Sequence, residues 1–324
     1  MNRRRFLQFN VSMAALAATT TTDQHPSAVG TGRLAKRHTH EELVTVQTED
    51  QLAMTGLFVR PEAKPARPIA VVWIHGASAN FYVPSYMRIG RAVASRGFPF
   101  ITANTRMHDI GSVLSYQSGL RGGAYWGLPS KQSIDIAAWI GFAEARGYRQ
   151  VVLVGHSAGG PAARGYQAER QDPRVIGLVM ASVGLGPAPP RTDPDPRLKI
   201  AEQMVASSKG QDFLPDLRLS AATYVDYAQT PVDFWDFYGT VLTTPNPAIQ
   251  RIHTPLFAWF GSREEGAAAD LERLKSLIAR HGQGPVRVDT RIIENADHDY
   301  DGQEPQVASI LTAWINRLTG VPRL

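Results

Sequence analysis

The chain has 324 residues, 43% of them apolar and 19% charged, and carries a formal charge of +5. That length suits one large α/β domain with an insertion, or two domains, and the composition is that of a globular chain. The absence of cysteine excludes a thiol nucleophile, a disulfide framework and cysteine-ligated metals, and no Lys/Arg-rich run beyond the first residues supports nucleic-acid binding.

In chain order, Arg3-Arg4-Arg5-Phe6-Leu7-Gln8 precedes an apolar, small-residue stretch over 11–18, too short to cross a bilayer as a helix. These residues resemble a twin-arginine export signal, an arginine pair followed by a variable residue, Phe and Leu. The resemblance implies export of the folded protein, to the periplasm or out of the cell, with 1–30 as signal and linker and Ala15-Leu16-Ala17 as one cleavage site. The competing reading is an uncleaved basic tail. Removal of three arginines and Asp23 lowers the charge from +5 to about +3. No other segment reads as a membrane span, and no internal repeat is present.

Residues 43–48 and 52–59 read as a strand pair, followed by a loop marked by Pro61, Pro65 and Pro68. The β-branched run 69–74 predicts a buried strand entering His75-Gly76. A helix over 85–96 stops at Gly97, and 98–103 is the next strand. Residues 131–146 predict a strongly amphipathic helix ending at Gly147. A strand over 151–154, a helix from Pro161 and a strand over 175–182 follow. This strand–helix alternation implies parallel pairing, right-handed crossovers and helices on both faces. The pattern breaks over 185–253, a stretch rich in aromatics (Phe213, Tyr224, Tyr227, Phe234, Trp235, Phe237, Tyr238) that predicts several short helices. Strand logic resumes at 256–260, continues through a helix over 267–280, and ends with 286–293 and a last helix from Glu304.

Gly155-His156-Ser157-Ala158-Gly159 matches G-x-S-x-G. The buried strand before it and the helix behind it force a turn within about three residues, which strains the serine backbone and lifts its hydroxyl clear of the sheet. Ser157 is therefore the candidate nucleophile, placed at a helix N-terminus that favours an oxyanion. The incidental alternative is a Gly-rich turn containing a serine. A serine hydroxyl needs a base, and the chain has nine histidines. His25, His38 and His40 precede the fold. His156 lies in the elbow with its ring expected to point elsewhere, His281 ends a helix, and His253 sits at the wrong end of a strand. His298 lies just past the C-terminal end of the last strand, where ligand sites gather in parallel sheets.

The segment from about 40 to 320 resembles the α/β-hydrolase fold through Gly155 to Gly160, His75-Gly76 and Ala296-Asp297-His298. That resemblance implies a mostly parallel central sheet with helices on both faces. The core would be 40–184 and 254–324, and 185–253 a helical cap. It places the base at His298 and the acid in the loop Gly261-Ser262-Arg263-Glu264-Glu265-Gly266. Relatives usually carry aspartate where this chain has Glu264. Glu264 is preferred, with Glu265 the competitor and two helix N-terminal carboxylates the neutral alternative. Asp297 and Asp299 flank His298 too closely to approach its ring well. The order Ser157, Glu264, His298 is the one that fold uses. The backbone N–H groups of Ala158 and Ala77 are the expected oxyanion donors, with Ser78 a lesser candidate. Arg106, His108 and Asp109 either contact a polar substrate or tie down the loop to Trp126, the structural role being favoured. Gly122 to Trp126 is similarly open.

The expectation is a serine hydrolase, carboxylesterase or lipase-like, that cleaves a small-molecule carboxylic ester through an acyl-enzyme. Alternatives are an amidase, peptidase or acyltransferase on the same triad, a non-catalytic ligand-binding protein, or a cofactor-free lyase. No cofactor is implied: metal-ligand spacing, G-x-G-x-x-G and P-loop motifs are all lacking in the sequence.

Overall fold

Several stretches of this chain are too apolar for either face of a strand to meet water, and they form the middle of one sheet. The computed structural model describes residues 39–63, 65, 67–185, 195–238, 244 and 246–320, so the export-signal segment lies outside the described residues. In chain order the elements begin with β1 (Thr39–Gln47), β2 (Ala53–Pro61), β3 (Ile69–Ile74), α1 (Pro84–Ala94), β4 (Phe100–Ala103), β5 (Ser112–Ser115) and β6 (Leu120–Gly122). They continue with α2 (Gln132–Ala145), β7 (Gln150–His156), α3 (Gly159–Arg170), β8 (Val175–Ala181), α4 (Pro196–Ala206), β9 (Phe213–Leu214) and β10 (Leu217–Ser220). The last are α5 (Ala221–Gln229), α6 (Val232–Trp235), β11 (Leu256–Gly261), α7 (Ala267–His281), β12 (Val288–Ile293) and α8 (Glu304–Leu318).

Eight strands form the central sheet in the order β1-β2-β4-β3-β7-β8-β11-β12. β2 runs antiparallel to both β1 and β4, and every other pairing is parallel. The core splits into two layers. Side chains of α2, α3 and α7 pack on one face of the sheet, and those of α1 and α8 on the other. Parallel strands separated by helices bring the loops after β3, β4, β7, β8, β11 and β12 to one edge. This is the mostly parallel α/β-hydrolase architecture expected from the sequence.

Two expectations need correction. α2 is not amphipathic, because no residue from Gln132 to Ala143 is exposed. Trp139 is fully buried beneath it and donates Nε1–H to Asn104 O at 2.8 Å. Its outer side is covered as well: Ala137, Ala138 and Phe142 pack against the core, and the Arg146 guanidinium lies 4.7 Å from the Phe142 ring centre. The long loop before Trp126 contains the β5–β6 hairpin, and the 185–253 stretch contains a β9–β10 ribbon besides its helices. Strands of two to four residues are too short to show a period of two. The two irregular stretches pack together: the Trp126 ring packs against Phe213 with centres 4.6 Å apart and donates Nε1–H to Gln211 O, and Ser220 N–H donates to Tyr125 O.

Candidate active site

Ser157 sits between β7 and α3 with φ of +50°, left-handed backbone that a serine adopts at a cost of about 1–3 kcal/mol. The turn holds because its neighbours leave no room for anything else. Ser157 N–H donates to Ala181 O at 2.9 Å, and Gly160 N–H donates to Ser157 O at 3.0 Å. A Cβ on Gly155 would collide with Gly159 O and Gly160 Cα. One on Gly159 would stand 2.5 Å from the carbonyl oxygens of Ile74 and His75. The first of these glycines lets the strand turn into the helix, and the second lets the helix approach β3. Ala158 occupies the N-cap of α3.

Strain of this kind collects at the same edge. Ser78, Asp109, Ser182, Asn295 and Tyr300 also have positive φ and follow the C-terminal ends of β3, β4, β8 and β12. Non-glycine residues keep such backbones only where the surroundings over-determine them.

His298 and Glu264 meet across the loops after β12 and β11, with Nδ1 and Oε2 2.7 Å apart. An ionised carboxylate only accepts, so Nδ1 carries the proton and donates. In the neutral imidazole Nε2 is then the bare acceptor. That nitrogen is buried and has no hydrogen-bond partner among the described residues. Glu264 is itself held: its Oε1 accepts from Ser182 Oγ at 2.6 Å and from Gly261 N–H at 2.7 Å. Because Ser182 spends its hydrogen on Glu264, the Tyr300 hydroxyl, 2.6 Å away, donates to Ser182 Oγ. Burial works against ionisation of Glu264, yet the donors from His298, Ser182 and Gly261 outweigh it and hold the carboxyl below its ordinary 4.5. For His298, burial disfavours the imidazolium, and the Glu264 carboxylate overrides that and raises it above 6.5. Glu265, the rival acid, is exposed. Asp297 accepts Asp301 N–H and ties down its own loop.

Ser157 lies at the same sheet edge, next in the chain to His156, and makes no hydrogen bond to His298 Nε2. The His156 and His298 rings are 5.0 Å apart, and the Cβ that Gly76 lacks would lie 3.1 Å from Ser157 Cβ. Ala77 and Ser78 are both exposed in the loop following Gly76. That loop is tethered by Asp109, whose N–H donates to Ala79 O at 2.8 Å and whose Oδ1 accepts from Asn80 Nδ2 at 2.6 Å. His108 Nδ1 lies 2.8 Å from Asp109 Oδ2.

Arg106 is buried and fully engaged by Asp135 and Asp50, at 2.7 and 2.9 Å, so it anchors the loop rather than meeting a ligand. Away from this edge, His281 lies against Tyr238 O, and His253 precedes β11. Tyr86 and Ser182 have no signature in the sequence as parts of this site, because each reaches it from a distant segment; Tyr300 lies only two residues beyond His298, but its partner Ser182 is 118 residues away. No helix among the described residues is long and apolar enough to cross a membrane, and no group of three or more candidate ligands there could hold a metal ion.

The family model described as the alpha/beta hydrolase family matches residues 71–308, about three quarters of the chain. None of the curated proteins matches. Among solved structures, an esterase from Pyrococcus furiosus is 16% identical, covers 90% of this chain and 96% of its own, and superposes with a TM-score of 0.56. A thermostable carboxyl esterase from Bacillus coagulans is 16% identical over 86% of this chain and 98% of its own, with a TM-score of 0.57. The protein Est1E from Butyrivibrio proteoclasticus is 14% identical over 86% and 99%, with a TM-score of 0.54. At such identities the likeness is one of fold.

Proposed function

The chain belongs to the alpha/beta hydrolase family, and on that premise we propose that it is a serine hydrolase cleaving a carboxylic ester through an acyl-enzyme. The observation that carries this reading is the Glu264–His298 pair at 2.7 Å, whose remaining nitrogen is buried and unpartnered among the described residues, at the sheet edge that also carries a serine held at φ +50°. A hydroxyl nucleophile needs a neighbouring base whose proton-accepting nitrogen is free and whose other nitrogen is fixed.

In the proposed reaction Ser157 Oγ attacks the ester carbonyl carbon while His298 Nε2 takes the hydroxyl proton. Glu264 holds the imidazole in the required tautomer and stabilises its charged form. The N–H groups of Ala158 and Ala77 face the developing oxyanion. Collapse breaks the C–O bond, and the alcohol leaves with the proton returned by His298. Water then attacks the acyl-enzyme, again losing its proton to His298, and the carboxylic acid departs with Ser157 regenerated. The esterase names of the structural neighbours are consistent with this chemistry. Export through the twin-arginine route completes the proposal, and cell fractionation of wild type against the Arg3→Lys/Arg4→Lys double variant tests it.

The deciding experiment compares wild type and Ser157→Ala on p-nitrophenyl esters of increasing acyl length. Wild type should turn over and the variant fall by several orders of magnitude. Equal inertness of both, with no fluorophosphonate label on Ser157, would replace the enzyme by a ligand-binding protein.

A further inference from the structure

The residue beside the nucleophile is a buried histidine that the reaction above does not use. His156 is 1% exposed, and its ring is packed against four others: Trp73, Tyr86, His298 and Tyr300. Its two nitrogens are both engaged. Nε2 lies 2.8 Å from the backbone oxygen of His298, and Nδ1 lies 2.6 Å from the Tyr86 hydroxyl. The Tyr86 oxygen in turn accepts Gly76 N–H at 3.2 Å.

The direction of every bond follows from one fact. A carbonyl oxygen only accepts, so Nε2 of His156 must carry a hydrogen. The ring is neutral, since burial pushes its pKa down to about 3. Nδ1 is therefore a bare acceptor, and Tyr86 must donate to it. With its hydrogen committed there, the Tyr86 oxygen is left to accept from Gly76. Three hydrogen bonds thus run one way, from Gly76 N–H through Tyr86 and His156 to His298 O.

The ends of this chain matter. Gly76 immediately precedes Ala77, the proposed oxyanion donor. His156 immediately precedes Ser157. His298 is the proposed base, and its strand β12 lies three places along the sheet from β7. β3 and β7 are paired as far as Ile74 and Gly155 and no further, and β12 pairs with neither of them. We propose that Tyr86 and His156 form a positioning relay that fixes the oxyanion loop and the base loop relative to the nucleophile elbow, so that His156 acts in turnover through Ser157, Ala77 and His298 without touching substrate. This rests on the hydrolase reading above. Misplacement of reacting groups by about 1 Å costs about a hundredfold in rate, so a strut that sets their spacing belongs to the kinetic machinery as well as to the core.

Glutamine provides the discriminating substitution. Its amide offers one acceptor and one donor at nearly the spacing of the two imidazole nitrogens, whereas leucine of similar size offers neither. The experiment measures kcat and KM on a short-chain p-nitrophenyl ester for His156→Leu, His156→Gln, Tyr86→Phe and the Tyr86→Phe/His156→Leu double variant. Rates are taken per serine titrated by a fluorophosphonate, and thermal midpoints are recorded. His156→Leu and Tyr86→Phe should lower kcat about 10- to 100-fold with KM within about twofold, and His156→Gln should recover most of that loss. The double variant should be no worse than the worse single one, because both break one chain. A glutamine variant as impaired as leucine, a loss carried by KM, or additive losses would each overturn the relay while the hydrolase reading stands. Wild type that neither turns over nor labels overturns both. If His156→Leu does not fold, Tyr86→Phe carries the kinetic test. Nitrogen-15 spectra of wild type must then show His156 as the neutral Nε2–H tautomer, and the Nδ1–H form would refute the assignment.

Discussion

Replacing Glu264 by glutamine should do far more than remove a charge. Two donors, Ser182 Oγ–H and Gly261 N–H, converge on Oε1 at 2.6 and 2.7 Å. In the variant the amide oxygen must occupy that position, because the amide nitrogen would face two hydrogens. The NH2 group is then turned towards His298 Nδ1, which must accept instead of donate. That moves the imidazole hydrogen to Nε2, the nitrogen that takes the Ser157 proton in the proposed reaction. The wrong tautomer is thereby the stable one, and kcat should fall about 10³- to 10⁴-fold, about 4–5.5 kcal/mol of transition-state stabilisation. Folding should suffer less, by about 1–3 kcal/mol, since the hydrogen bonds from His298, Ser182 and Gly261 lose their charged acceptor but each position keeps a partner. The assay is ester turnover per labelled serine, with Glu265→Gln as the control at the exposed neighbouring position. A Glu264→Gln enzyme within tenfold of wild type would show that His298 takes its tautomer from some other contact and would refute the reasoning.

The strain at the elbow gives a second prediction: Ser157→Gly should be more stable than Ser157→Ala by about 1 kcal/mol, because only glycine relaxes at φ +50°. Equal melting temperatures would contradict it. Arg106→Met strands the fully buried Asp135 without its guanidinium and should cost about 3–5 kcal/mol in urea unfolding; a loss below about 1 kcal/mol would mean that the loop rearranges. The proposed mechanism requires neutral His298, so the rate should rise with pH through a midpoint above 6.5. The stability contributed by the pair follows the signs of the two shifts. His298 is raised in the fold, so its share is complete below 6.5 and lost as pH climbs through the folded value. Glu264 is lowered, so its share is complete above 4.5 and lost as pH drops through its folded value. The Glu264→Gln difference in unfolding free energy should therefore be largest between pH 4.5 and 6.5, and a difference that keeps growing above that window would reverse the assignment.

What the sequence determined by itself is what depends on neighbours along the chain. The elbow is contiguous, so a β-branched run, a glycine-flanked serine and a following helix predict its strained turn without reference to any other segment. Strand and helix alternation likewise implied the parallel sheet and its loop-bearing edge, and the loop after the last strand made His298 the candidate base. Tertiary structure alone decided the rest. The family resemblance preferred Glu264 but left Glu265 in competition, and the approach of His298 and Ser182 to Glu264, with Glu265 exposed, separates them. Tyr86 meets His156 across 70 residues, Ser182 meets Tyr300 across 118, and His156 meets His298 across 142. The expected amphipathic face of α2 disappeared for the same reason, since β1 and α3 cover sides that an isolated helix would leave in water. Side-chain type and spacing record the forces that act within a few residues. Hydrogen-bond direction, tautomer and the choice between neighbouring carboxylates depend on groups that only the folded sheet brings within about 3 Å.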